Sequence, residues 1–317
     1  MSELSAKKVW HNGQLIDWGD ATVHVLSHAL HYGTSWFEGI RCYNTSRGSE
    51  IFRLHEHIDR LFNSAKIYRC DIPFSREEIC SGILETIIAN DQESCYIRPL
   101  VMRGLGSIGV DPLPAAIEVY LITWKWGAYL GADAIEKGID VMTSSWKRAA
   151  PNTYPTMAKA GGNYLNSTLI KMEAQLQGYS EGIALDSNGF VSEGSGENIF
   201  FSYQGDICTP HIANAILPGI TRDSVITLLR EQGRTVREEQ LPRELLYLAD
   251  EVFMTGTAAE ITPVRSIDQI KVGQGRRGPI TKELQDDFFA YIRGDVDDRH
   301  GWLTPVKENS NSQTQAN

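Results

Sequence analysis

The chain has 317 residues, 42% hydrophobic and 22% charged, an ordinary globular composition but too long for one compact core, so two domains are expected. A formal net charge of −10 argues against nucleic acid and anionic membrane as partners, because both select a basic surface. Five cysteines (Cys42, Cys70, Cys80, Cys95 and Cys208), odd in number and with no CxxC pair, argue against a disulfide or zinc framework, and reduced thiols in a cytoplasmic setting are expected.

Met1 to Trp10 shows no apolar run of the signal-peptide kind, and no stretch approaches the ~20 apolar residues of a membrane span. Asn12-Gly13, between Val9-Trp10 and Leu15-Ile16, is a two-residue hairpin signal. Trp36 to Tyr43 and Glu50 to Leu54 flank a Ser-Arg-Gly-Ser turn and predict a second hairpin. His55 to Tyr68 places Ile58, Leu61, Phe62, Ala65 and Tyr68 on one helical face. Ser75 with Glu78 is a capping box that opens a helix to about Asn90. Cys95–Arg103 and Ile117–Trp124 read as strands.

Residues 1–125 are thus expected to form a small α/β domain, and the small-residue-rich 126–137 a linker. A larger domain would span 138–306, followed by a disordered polar tail, 307–317. In the larger domain a strand is expected at Ile139–Ser144 and a helix at Asn163–Gln177. A hairpin follows around Asp186-Ser-Asn-Gly189, then a helix at Thr221–Gln232. Strands at Val252–Thr255 and near Val264 precede a last helix, Ile280–Ile292. Hairpins mixed with a few helices predict two α+β domains rather than one parallel sheet.

Several motifs carry chemistry. Gly104-Leu-Gly106-Ser-Ile-Gly109 matches GxGxxG, but Pro112 and Pro114 forbid the helix a dinucleotide site would open, so it reads as a flexible loop bordering a pocket. His24, His28 and His31 have ligand-like spacing but no evident fourth ligand, and no metal is expected. Lys159 lies among small residues in Pro155-Thr-Met-Ala-Lys159-Ala-Gly-Gly-Asn-Tyr164, which would let a planar ring approach the backbone. A Schiff-base lysine needs such a sheltered amine, although on local pattern alone an ordinary loop lysine is the stronger reading. Glu193, between a hairpin and an apolar strand, could be a buried carboxylate; it would then need a partner such as a protonated pyridine nitrogen. Leu217-Pro-Gly219-Ile220-Thr221-Arg222 precedes a helix whose free N–H groups suit a phosphate. Thr255-Gly-Thr257-Ala258-Ala-Glu260 offers a second donor cluster. Singly, each of these is as readily plain capping or a solvated turn.

Taken in order, these pieces resemble the class IV family of pyridoxal-phosphate enzymes, and within it most resemble the bacterial branched-chain-amino-acid aminotransferases. Glu193-x-Ser195-x-x-Asn198-Ile-Phe, Ile207-x-Thr209 and Leu217-x-Gly219-Ile-x-Arg222 match the family signature. Phe37-Glu-Gly39-Ile-Arg41, His57-Ile-Asp-Arg60-Leu, Tyr96-Ile-Arg98-Pro and Trp126-Gly-Ala-Tyr-Leu-Gly add to it, and the likeness runs to about Val306.

The resemblance implies a two-domain α+β fold of the D-amino-acid-aminotransferase (fold type IV) kind, with pyridoxal 5′-phosphate at the domain interface. Lys159 would hold the cofactor as a Schiff base, Glu193 its pyridine nitrogen and Tyr164 its ring hydroxyl. Arg60, Leu217, Gly219, Ile220, Thr221 and Thr257 would surround the phosphate. Tyr96, Thr257 and Ala258 would bind the substrate α-carboxylate. Tyr32, Phe37, Gly39, Trp126 and Tyr129 would line the side-chain pocket, and Arg98 would meet the distal carboxylate of 2-oxoglutarate. Val110 would reach over from the other subunit of a homodimer; hexamers also occur among similar enzymes. The implied reaction is ping-pong amino transfer between L-leucine, L-isoleucine or L-valine and 2-oxoglutarate, with biosynthesis the expected use. Rivals on the same fold are a D-amino-acid aminotransferase and a 4-amino-4-deoxychorismate lyase; a non-enzymatic scaffold is a further one.

Overall fold

The computed structural model describes residues 5–127 and 133–307, in two compact units. One holds the described residues up to Trp126 together with those from Phe289 onward; the other holds those from Gly127 to Phe288.

In the first unit, β1 (Lys8–His11) and β2 (Gln14–Asp17) pair antiparallel across Asn12-Gly13, both at positive φ, the backbone a two-residue hairpin requires. Helix α1 (His28–Tyr32) stops at Gly33, which takes the left-handed conformation. Then come β3 (Ser35–Phe37), β4 (Ile40–Thr45), β5 (Gly48–Phe52), α2 (Leu54–Ile67), α3 (Arg76–Ala89), β6 (Cys95–Arg103) and β7 (Ile117–Trp124). Helix α2 buries Leu54, Ile58, Leu61 and Ala65, the i, i+4, i+7, i+11 stripe of an amphipathic helix. Helix α3 opens with both halves of its capping box: Glu78 N–H donates to Ser75 Oγ at 3.1 Å, and Ser75 N–H to Glu78 Oε2 at 2.7 Å. The strands run β5-β4-β6-β7-β1-β2, with β3 also on β6. Ile40, Ile97, Val101, Val119 and Leu121 are buried within the sheet, and Ile79, Ile83 and Ile87 bury the facing side of α3.

The second unit begins with α4 (Ala134–Lys137) and β8 (Ile139–Thr143). Next are α5 (Tyr164–Leu176), β9 (Glu181–Leu185), β10 (Val191–Gly194), β11 (Asn198–Tyr203) and β12 (Asp206–Pro210). After α6 (Ile220–Glu231) come β13 (Val236–Glu239), α7 (Leu245–Leu248), β14 (Glu251–Gly256), β15 (Glu260–Ile267), β16 (Ile270–Lys271) and α8 (Pro279–Ile292). The sheet order is β10-β9-β8-β15-β14-β11-β12-β13, with β16 on β15. It is mixed: β8 is parallel to both β9 and β15, and β12 to β13. Parallel neighbours need a crossover, and the one from β8 to β9 carries Lys159 and α5. On one face Ile183, Ile199, Phe201, Val252, Met254 and Ile267 form the core. Phe200 and Phe253, cross-strand partners, stack with centroids 5.1 Å apart; full burial of each contributes roughly 1.5–3 kcal/mol.

Two stretches fall elsewhere than the sequence reading placed them. Ala134, in the expected linker 126–137, is buried in the second unit's core as part of α4. The segment 289–306, expected in the larger domain, belongs with the first unit, where β17 (Leu303–Pro305) pairs antiparallel with β5. Short end segments of this kind are placed by pairing partners far away in sequence, not by local pattern. Residues 128–132, including Tyr129, and 308–317, nearly all of the expected tail, lie outside the described residues.

Candidate active site

In the second unit, Lys159 sits on the crossover between Ala158 and Ala160, both buried and small. Asn163 pins this turn: its Nδ2 donates to Pro155 O at 3.0 Å and Ala158 O at 3.1 Å. Lys159 Nζ then donates to the phenol oxygen of Tyr164, the first residue of α5, at 2.6 Å.

Glu193, at the end of β10, is buried. Asn198 Nδ2 donates to its Oε2 at 3.2 Å, and Leu217 N–H to the same oxygen at 3.0 Å. Arg148 Nε stands 3.2 Å from Oε1, an ion-pair distance, although this N–H is not aligned for a hydrogen bond. Burial pushes the Glu193 carboxyl above its ordinary range; Arg148, the Leu217 amide, Lys159 and Arg222 pull against that rise. The sequence reading gave no role to Arg148 or to the Asn198 amide.

Helix α6 starts at Ile220 behind Gly219, and no side chain caps it, so its first amides are left without a capping side chain. Asn198 Nδ2 also donates to Leu217 O at 3.0 Å, which ties the turn before this helix to Glu193. Arg222 donates to Pro210 O at 3.1 Å and to Glu238 at 2.9 Å. Thr257 and Ala258 lie half-buried in the turn between β14 and β15. Thr255 stands cross-strand from Asn198, hence on the same face of the sheet, and its Oγ1 is buried without a hydrogen-bond partner among the described residues.

In the first unit, Glu38 is fully buried. Arg60 clasps it with both arms, Nε to Oε1 at 2.7 Å and Nη2 to Oε2 at 2.8 Å, and His57 Nδ1 lies 2.7 Å from Oε2. His57 and Arg60, three apart on α2, share a helix face. Burial opposes the charge on Glu38, yet Arg60 and then His57 hold its carboxyl well below the usual carboxylate range. Glu38 and His57 were visible within motifs, but no local signal marked them as the support of Arg60.

Phe37, Gly39, Tyr96, Arg98 and Trp126 come together in this unit. Arg98 Nη2 donates to Tyr96 Oη at 3.0 Å, and its guanidinium lies over the rings of Phe37 (4.7 Å) and Tyr96 (5.3 Å). Trp126 meets Tyr96 edge-on at 4.4 Å. Gly39 is required for this packing, because a Cβ there would lie 2.0 Å from Tyr96 Oη. Tyr32 is tied instead to the loop after β6: its hydroxyl donates to Ile108 O at 3.1 Å, and Val110, two residues on, is 81% exposed. His28, one of the three spaced histidines, is buried against Thr34 (2.7 Å) and Gly109 O (2.9 Å).

Residues 35–267 match the family described as amino-transferase class IV. The chain belongs to the class IV aminotransferases. This aminotransferase is 55% identical over 307 residues to the branched-chain-amino-acid aminotransferase of Salmonella typhimurium, covering 96% of this chain and 99% of that one. It superposes with a TM-score of 0.94 on the crystal structure of the Escherichia coli branched-chain amino acid aminotransferase, at 55% identity over 96% of this chain and 100% of that one. It matches the branched-chain amino acid aminotransferase of Thermobaculum terrenum in its PLP-form (holo-form) at a TM-score of 0.89 and 36% identity, over 95% of this chain and 99% of that one. The aminotransferase therefore has the mixed α+β class IV fold along almost its whole length.

Proposed function

We propose that this class IV aminotransferase transfers the amino group of L-leucine, L-isoleucine or L-valine to 2-oxoglutarate with pyridoxal 5′-phosphate as cofactor. The observation that carries the reading is the Lys159 amine, held 2.6 Å from the Tyr164 phenol on a turn kept in place by Asn163. The residues present fit the cofactor. A lysine amine suits its aldehyde, the buried Glu193 carboxylate its protonated ring nitrogen, and Tyr164 its ring hydroxyl. The uncapped start of α6 at Ile220 and Thr221, with Leu217, Gly219 and the Thr257 hydroxyl, suits the phosphate, and the unpartnered Thr255 Oγ1 marks the same face as polar and unsatisfied.

When bound, pyridoxal phosphate would supply a carbonyl to carry the amino group and an electron-withdrawing ring to acidify the substrate's Cα–H. Lys159 would take the proton from the substrate's Cα and deliver it to the cofactor's C4′, the carbon that keeps the amino group, working within a fixed short range. Glu193 keeps the ring nitrogen protonated by accepting its N–H. Arg60, aimed by Glu38 and His57, is assigned to the phosphate. Tyr96, Thr257 and Ala258 bind the substrate α-carboxylate. Phe37, Gly39, Trp126 and Tyr32 are assigned to an apolar side chain, and Arg98 to the distal carboxylate of 2-oxoglutarate; Tyr129, assigned there by resemblance, lies outside the described residues. Two substrates alternating at one site give ping-pong kinetics. Val110, exposed on its loop, is assigned to the partner subunit's site in a homodimer. We infer a cytoplasmic setting from its five cysteines, which are free and buried.

The deciding assay offers L- and D-leucine separately with 2-oxoglutarate. The reading expects glutamate from L-leucine. Activity with D-leucine alone, or pyruvate release without amino transfer, would overturn it.

A further inference from the structure

Arg148 follows β8 and is buried, with its side chain 8% exposed. Its Nη1 donates to Asn166 Oδ1 at 2.9 Å and Ser167 Oγ at 3.0 Å, both on the first turn of α5. Its Nη2 donates to Gly194 O at 2.5 Å and Ser195 O at 3.1 Å, the two carbonyls after Glu193. Its Nε faces Glu193 Oε1 at 3.2 Å, the oxygen left over by Asn198 and Leu217, which both donate to Oε2. A guanidinium keeps its charge at every accessible pH. Four of its contacts are neutral acceptors that fix its place; the fifth is a carboxylate.

The other cations acting on Glu193 are Lys159 and Arg222. Lys159 is committed to the reaction, and Arg222 is engaged by Glu238 at 2.9 Å. Arg148 stands in direct ion-pair contact with Glu193. Through Asn166 and Ser167 it also ties Glu193 to the turn that begins with Tyr164.

We propose that Arg148 is a positioning residue: it keeps Glu193 ionised and sets where that carboxylate stands relative to the Tyr164 helix, so that Glu193 presents a full negative charge to the protonated ring nitrogen of the cofactor. This rests on the reading of Glu193 given above. Burial already drives the carboxyl upward against Arg148, so removing the cation drives it further toward the uncharged form.

The test compares two ligands on the full chain stripped of cofactor: pyridoxal phosphate, and its 1-deaza analogue, in which the ring nitrogen is replaced by carbon. Dissociation constants come from absorbance titration. Wild type prefers pyridoxal phosphate. Arg148→Met loses about tenfold or more of that preference, the factor carried by one unit of carboxylate pKa, and regains part of it as pH rises. Arg148→Lys keeps the preference. In a Glu193→Gln background, Arg148→Met changes the ratio no further. A merely structural residue would weaken both ligands alike. If Arg148→Met does not fold, Arg148→Gln, which keeps hydrogen bonds without charge, carries the same comparison. The inference is overturned if the preference survives loss of Arg148's charge but vanishes in Glu193→Gln. If Glu193→Gln also leaves it intact, the Glu193 reading itself has failed.

Discussion

Gly219 and Asn198 touch so closely that a Cβ on the glycine would lie 1.9 Å from Asn198 Oδ1. The same Asn198 amide group bonds Leu217 O and Glu193 Oε2, so its position sets both the turn before α6 and the buried carboxylate. Gly219→Ala should displace Asn198 from both. The expected outcome is a Kd for pyridoxal phosphate raised about tenfold or more, with the ~1–3 kcal/mol loss of stability that overpacking brings. Absorbance titration and thermal melting measure the two; an unchanged Kd would count against the assigned phosphate turn.

Glu38 predicts an acid dependence. Its folded carboxyl sits below the ordinary value of 4.5, because Arg60 and His57 outweigh burial. A carboxyl depressed on folding adds stability that is complete above its unfolded value and is lost as pH falls below 4.5 toward the lower folded value. Glu38→Gln should flatten that part of the stability curve. It should also cost about 3–5 kcal/mol at neutral pH, since it strips the buried pair of one partner. Denaturant unfolding at a series of pH values checks both, and an acid limb as steep as wild type's would be contrary.

Glu197 predicts the opposite limb. Burial first, then the neighbouring Glu181, pushes its carboxyl up to about 8, while the Gly196 amide, Lys171 and Arg148 oppose the rise. A carboxyl raised on folding stabilises fully below its unfolded value of 4.5, and the contribution fades as pH climbs through about 8. Glu197→Gln should therefore lose less stability than wild type over that interval. Equal losses in the two proteins would show that Glu197 does not titrate there.

Local pattern revealed much of this molecule, and the physical reason is the range over which each signal acts. The Asn12-Gly13 hairpin, the Ser75–Glu78 cap and the apolar stripe of α2 are settled within a few residues, and each lies where expected. Lys159 and Tyr164 are only five apart, yet local pattern left Lys159 an ordinary loop lysine, and only the family resemblance singled the two out. Arg148 is 45 residues from Glu193 and Glu38 is 22 from Arg60; burial demands such partners, but only the folded sheet selects them. The return of β17 to β5 is of the same kind, a pairing across more than two hundred residues that no window of sequence contains.

The account depends most on Lys159. Reducing the holoenzyme with borohydride and mapping its peptides should place the pyridoxyl label on Lys159, with Lys159→Ala unlabelled, inactive and still folded by circular dichroism. A label on another lysine, or turnover retained in Lys159→Ala, would contradict it.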